Sequence, residues 1–180
     1  MRILGIDPGY AQTGWGVVDS IGQHNRPVSF GVIKTSPTMA DNDRIHFIAK
    51  SIGEIALQQK IEICGMEDIF FTKNISSAIP VAKVIGATVH QLSLLNIEVR
   101  MYSPLSIKSA ITGYGGADKK QIQEMVRILL GFEKIPKPDH AADALAAALC
   151  LAVFNATNMR MKTQLSMQLS GISSLYKSPR

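Results

Sequence analysis

Residues 1–35, MRILGIDPGYAQTGWGVVDSIGQHNRPVSFGVIKT, decide the fold. Arg2 to Asp7 is a short apolar run stopped by Pro8-Gly9, which reads as a buried strand entering a turn. Gly14 to Asp19 is a second such run, with Gly22 and Asn25 as turn signals after it. Pro27 to Thr35 is a third. Three closely spaced strands at the start predict an antiparallel meander.

Beyond residue 35 the period changes. Ile45, Ile48, Ile52, Ile55 and Ala56 recur at helical spacing, predicting a helix over Asp41–Lys60 capped by Asp41 or Asn42. Ile61–Met66 reads as a fourth strand. A helix from Ser76 or Ser77 to about Leu95 follows, with Pro80 in its first turn. Ile97–Tyr102 is a fifth strand. Shorter helices are expected over Pro104–Ile111 and from Asp118 to about Leu130. After Pro136 and Pro138, Asp139 or His140 opens a last helix ending near Ala156. Strands joined through helices pair in parallel. The order therefore predicts an α/β fold: a five-stranded mixed sheet in a three-layer α/β/α sandwich.

The chain has 180 residues, with 19 Lys and Arg against 14 Asp and Glu, a formal charge of +5. At 46% hydrophobic residues it is no disordered basic tail. One sizeable core is expected, over residues 1–155, followed by a basic, weakly structured tail over 156–180. That tail holds Arg160, Lys162, Lys177 and Arg180 and no acid, so residues 1–155 carry a net charge of only +1. Charge concentrates between Arg100 and Lys137, where seven bases face three acids. Cys64 and Cys150 form neither a disulfide framework nor a zinc pattern and read as reduced core thiols. The longest apolar run, Ala144–Phe154, is short for a membrane span, and the start lacks a signal-peptide core. A soluble cytoplasmic protein is expected, without a membrane partner.

Acids stand where an apolar strand has no need of them. Asp7 ends the first strand, Glu67 the fourth, and Asp143 lies in the first turn of the last helix. Ligands collect at such edges of open α/β sheets. Converging carboxylates repel one another unless a cation sits between them. Oxygen ligands suit Mg²⁺ or Mn²⁺. Singly, each acid is equally a turn former, a solvated strand end or a helix-dipole partner.

Four motifs carry a resemblance. GIDPGYAQTGWGVV, GMEDIFFTKN, SPLSIKSAITGYGGADKKQIQEMV and PKPDHAADALAAALC, in that order from Met1 to about Phe154, resemble the RuvC family of Holliday-junction resolvases. The resemblance implies a ribonuclease H-like fold. It implies two divalent ions per active site, Mg²⁺ with Mn²⁺ able to substitute, held by Asp7, Glu67, His140 and Asp143. It implies hydrolysis leaving a 5′ phosphate and a 3′ hydroxyl, by paired cuts in four-way junction DNA. The fourth ligand is Asp in many relatives, and His140 stands there instead. Asp139, four residues before Asp143, shares a helix face with it and is the second candidate for that ligand. Its place after Pro138 suits the helix N-cap, the role assigned to it here.

The resemblance also places DNA contacts at Lys108 and Lys119 and an aromatic contact with junction bases at Phe70. Lys73 and Asn74 in the same loop, and Lys120 beside Lys119 at a helix start, are plausible backbone contacts. Tyr10 and Trp15 read as packing residues. The two-fold symmetry of a junction implies a homodimer. The helix ending near Leu95 is apolar on more than one side, which suits such a contact. The branch-migration proteins RuvA and RuvB are the implied further partners. The competing reading is a YqgF-type ribonuclease H-like nuclease acting in RNA processing. An actin-like ATPase would need two such domains.

Overall fold

The computed structural model describes residues 1–22, 24–69 and 75–175. In chain order it contains β1 (Arg2–Asp7), β2 (Gln12–Ile21), β3 (His24–Lys34), α1 (Asp41–Gln58), β4 (Ile63–Glu67), α2 (Ile75–Leu94), β5 (Glu98–Tyr102), α3 (Pro104–Thr112), α4 (Lys119–Leu130) and α5 (Asp139–Leu175). The sheet order is β3-β2-β1-β4-β5. β1–β2 and β2–β3 are antiparallel; β1–β4 and β4–β5 are parallel. The meander and the parallel pair both match the sequence expectation. Pro27 lies in β3, an edge strand, where a missing N–H leaves no central ladder broken.

Strand alternation sorts the side chains into two cores. Leu4, Ile6, Val17, Cys64 and Met66 face α1 and α2, packing with Ile48, Ile52, Val84 and Leu92. Ile3, Val18 and Ile63 face α3, α4 and α5, packing with Ile107, Val126, Leu145 and Leu149. Fully burying such a side chain contributes roughly 1.5–3 kcal/mol. The odd positions of β1 and β4 thus belong to the α5 face. On that face stand Gly5 and Gly65, joined by Gly14 and Gly16 of β2. A Cβ at Gly5 would lie 1.9 Å from the Ala144 carbonyl oxygen, and one at Gly14 would lie 1.9 Å from that of His140. The missing side chains let α5 lie directly on the sheet, with its alanines as the mating surface.

Caps explain the short helices. Ser103 caps α3 by accepting the Ser106 N–H at 3.1 Å, and Gly113 closes it at φ 73°. Asp118 and Gln121 form a capping box on α4, each bond 2.9 Å. Three expectations need correction. The N-cap of α1 is Ala40, with no side-chain cap bond; Asp41 instead accepts the Tyr10 hydroxyl. α2 begins at Ile75, so Ser76 and Ser77 lie inside it and Pro80 falls in its second turn. The last helix does not stop near Ala156: α5 continues to Leu175, so the expected weakly structured tail is helical over most of its length. Met, Leu, Gln and Lys in that stretch are good helix formers, although its apolar pattern fades. Among the described residues, one stretch, Asp139–Asn158, is long and apolar enough to cross a membrane. It is the helix laid on the sheet, with residues 144–151 at most 1% exposed.

Candidate active site

Asp7 follows Gly5 by two residues and Glu67 follows Gly65 by two. Alternation therefore aims both carboxylates to the α5 face, at the carboxyl ends of adjacent parallel strands. α5 approaches there with its first two turns, and His140 and Asp143, three residues apart, share the facing side. His140 Nδ1 lies 2.6 Å from Asp7 Oδ2. Ligand atoms of Asp7, His140 and Asp143 all fall within 4.8 Å of one another. Glu67 stands outside that set but lines one cleft with Asp143, Lys108, Lys119 and Ile107. The four residues expected at the site are thus brought to one edge.

The turn that presents Asp7 is tied down from below. Thr13 donates to the Gly9 carbonyl at 2.6 Å and Thr35 to that of Tyr10 at 2.8 Å. Buried Arg44 donates to Thr35 Oγ1 at 3.0 Å and to the Tyr10 carbonyl at 3.3 Å, and lies 3.8 Å from the Tyr10 ring centre. Tyr10 does pack, as expected, but as the lid of this cation. Nothing in the sequence pattern singles out Arg44 or Thr35, because their partners are reached only through the fold.

One site residue behaves differently from expectation, and another makes a contact the sequence does not show. Lys119, though half exposed, reaches the acids: its Nζ lies 3.1 Å from Asp143 Oδ2 and 3.5 Å from Asp139 Oδ2. Asp139 takes no backbone N–H among the described residues and is no N-cap. Its carboxylate accepts from Lys137 at 2.6 Å, while the Pro138 carbonyl receives the Ala141 and Ala142 N–H groups. Asp139 is also absent from the metal-competent set, which favours His140 as the fourth member. The basic stretch is similarly diluted. Arg100 pairs with Glu98, Arg127 with Glu124 and Lys137 with Asp139, so Lys108, Lys120 and Lys134 are the members without an ion pair among the described residues. Phe70, Lys73 and Asn74 lie outside the described residues.

Electrostatics mark the site as one built for a cation. Burial pushes Asp7 above the usual carboxylate range, although His140 pulls the other way. Glu67 is pushed up to about 7 by burial and by the neighbouring charges of Asp7 and Asp143. Burial lowers Lys119, but Asp143 and Asp139 outweigh it and hold its ammonium above the ordinary lysine value. Three acids and one imidazole form a donor set that fits hard divalent cations, and the Lys119 ammonium beside Asp143 and Asp139 already answers part of their charge.

A stability experiment reads this strain. An acid whose folded pKa is raised stabilises the fold below its unfolded value, and that contribution is lost as pH rises through the folded value. For Glu67 the window runs from about 4.5 to about 7. The metal-free protein in chelator is therefore expected to lose up to about 3 kcal/mol across that window relative to Glu67→Gln. Urea melts at pH 5 and pH 8 check this; parallel pH dependences in the two proteins would contradict it.

The mixed five-stranded sheet, with carboxylates at the carboxyl ends of β1 and β4 and an acid–imidazole pair on the helix across them, defines a ribonuclease H-like class. A model of the family "Crossover junction endodeoxyribonuclease RuvC" matches residues 3–151. The chain belongs to the RuvC family. The Chloroflexus aurantiacus crossover junction endodeoxyribonuclease RuvC is 42% identical over 152 residues, spanning 84% of this chain and 93% of the relative. The Thermus thermophilus RuvC structure superposes with a TM-score of 0.83 at 33% identity, covering 88% of this chain and 97% of that one. A second structure, T. thermophilus RuvC in complex with Holliday junction substrate, gives a TM-score of 0.80 at 31% identity over 87% of this chain and 96% of that one.

Proposed function

We propose that this chain is a structure-specific endodeoxyribonuclease that resolves Holliday junctions by paired, symmetric cuts in recombination and repair. The observation that carries the reading is the meeting of Asp7, Glu67, His140 and Asp143 at one sheet edge in a chain of the RuvC family. These four residues would hold two divalent ions, Mg²⁺ or in its place Mn²⁺. Bound there, the ions supply charge neutralisation and Lewis acidity for phosphodiester hydrolysis to a 5′ phosphate and a 3′ hydroxyl.

The protein's own groups do the positioning. Asp7 and Glu67 are fixed by strands, and His140 and Asp143 by a buried helix, so the site is pre-set before substrate arrives. Lys108 and Lys119 at the cleft wall offer cations to a phosphodiester entering beside the acids. Lys73, Asn74 and Phe70 belong to the DNA contacts of this reading, as does Lys120. Residues 1–155 form the nuclease and 156–180 a basic extension. The partner copy of a homodimer would supply the second cut; Ile79 and Leu94 on α2, 50% and 64% exposed, support an apolar contact there. RuvA and RuvB complete the partner set, in the cytoplasm. A YqgF-type RNA-processing nuclease is not favoured, since the family match spans the fold and the site together.

The test is incubation with a synthetic four-way junction and Mg²⁺ or Mn²⁺, beside linear duplex and RNA. Paired nicks on opposing strands are expected. Junction binding without cleavage in either metal sinks the reading.

A further inference from the structure

Lys119 and Lys120 are neighbours that leave α4 toward different places. Lys119 reaches the acids, whereas Lys120 lines a separate groove with Thr112, Tyr114, Ala117, Gln121 and Met125. The groove floor is apolar: Ala117 is 2% exposed and Met125 packs against the core. Tyr114 stands 69% exposed at its edge. Its backbone is nonetheless fixed. Thr112 Oγ1 accepts the Tyr114 N–H at 3.2 Å and lies 2.8 Å from the Tyr114 carbonyl oxygen, which also accepts the Ala117 N–H at 3.4 Å. The ring folds over Gly116, where a Cβ would come within 2.4 Å of its hydroxyl oxygen. With its backbone already fixed, Tyr114 has only its own ring torsions left to lose on binding.

Charge points to the kind of occupant. The one acid lining the groove, Glu124, is held by Arg127 Nη2 at 2.6 Å and Nε at 2.9 Å. Lys120 makes no ion pair among the described residues, so the rim presents net positive charge. An aromatic face, an apolar floor and a cation together suit a nucleotide: a base against the ring and its phosphate at the ammonium. The groove is distinct from the acid cleft, but the adjacent residues Lys120 and Lys119 line one each, so a strand engaged at the cleft runs close to the groove.

We propose that the Tyr114–Lys120 groove is a second DNA contact, taking one nucleotide of a junction strand beside the cleavage site. Tyr114 stacks on the base and Lys120 pairs with the phosphate. This inference rests on the nuclease reading above. The experiment measures affinity of the full chain for a fluorescent four-way junction in chelator, together with wild-type cleavage in Mg²⁺. Tyr114→Ala is expected to weaken binding roughly tenfold with an unchanged salt slope, while Tyr114→Phe stays within about twofold of wild type. Lys120→Gln is expected to lower the salt slope by about one. A photo-crosslinking residue at position 114 should capture a DNA strand. Tyr114→Ala binding like the wild type overturns the proposal, as does capture at position 114 of a second copy of the chain or of another protein. Those results alongside active wild-type cleavage overturn the groove alone; a wild type that neither binds nor cuts the junction overturns the nuclease reading with it.

Discussion

Asp7→Asn is expected to cut junction cleavage by about a thousandfold or more while leaving junction affinity equal or higher. A thousandfold corresponds to about 4 kcal/mol of lost transition-state stabilisation. The reasoning starts from burial. Asp7 is held at the end of β1 with its carboxylate 2.6 Å from the imidazole of His140 and close to Asp143. An amide of the same shape keeps the hydrogen-bond acceptor and the packing, so the fold survives. It loses the charge, and with it the donor that a hard cation needs. The same loss removes negative charge from a site that must receive a phosphodiester, so binding does not suffer. Single-turnover cleavage and equilibrium binding, measured on one preparation, separate the two effects. Loss of both together would mean that Asp7 is mainly structural. Retention of cleavage would move the reaction centre elsewhere.

Much of this was legible in the sequence because it is local. The end of a strand is marked by Pro8-Gly9, the change of period after residue 35 separates meander from helix, and Asp118 opens a helix running to about Leu130. Acids at strand ends stand out against apolar runs, and strand alternation then decides which face they serve. What stayed hidden depends on separation along the chain. The ion pair between Lys119 and Asp143 joins residues 24 apart, so the sequence does not show that the lysine read as a DNA contact also reaches the acids. Asp139 sits in a cap-like sequence, yet Lys137 and Lys119 outbid the backbone N–H groups for its carboxylate. Arg44 is anchored by Thr35 and the Tyr10 carbonyl, two partners that share no pattern with it. The full length of α5 is not legible in its apolar pattern, because apolar periodicity tracks burial whereas helix propensity continues past the last buried turn.

The glycines carry the largest stability effect. Gly5→Ala is expected to destabilise the protein by more than about 3 kcal/mol, enough to leave little folded protein at 37 °C. The added Cβ would lie 1.9 Å from the Ala144 carbonyl oxygen, 2.7 Å from the Ala148 nitrogen and 2.9 Å from its Cβ. These are mostly backbone atoms of a buried helix, so no side-chain rotation relieves the contact, and α5 itself must move away. Overpacking against movable side chains costs typically 1–3 kcal/mol, and a rigid neighbour places this substitution above that range. Gly14→Ala poses the same clash at the His140 carbonyl, 1.9 Å away. It also displaces the residue that meets Asp7, so whatever folds should cleave poorly. Gly86→Ala supplies the contrast. Its Cβ would meet nothing within 4 Å inside α2, and replacing a helical glycine should add about 0.5–1 kcal/mol. Urea melts of the three variants decide the matter. If Gly5→Ala and Gly86→Ala shift stability alike, the glycine floor under α5 is not what brings His140 and Asp143 to Asp7. If they diverge in opposite directions, the placement of the site is a consequence of side chains that β1 and β2 do without.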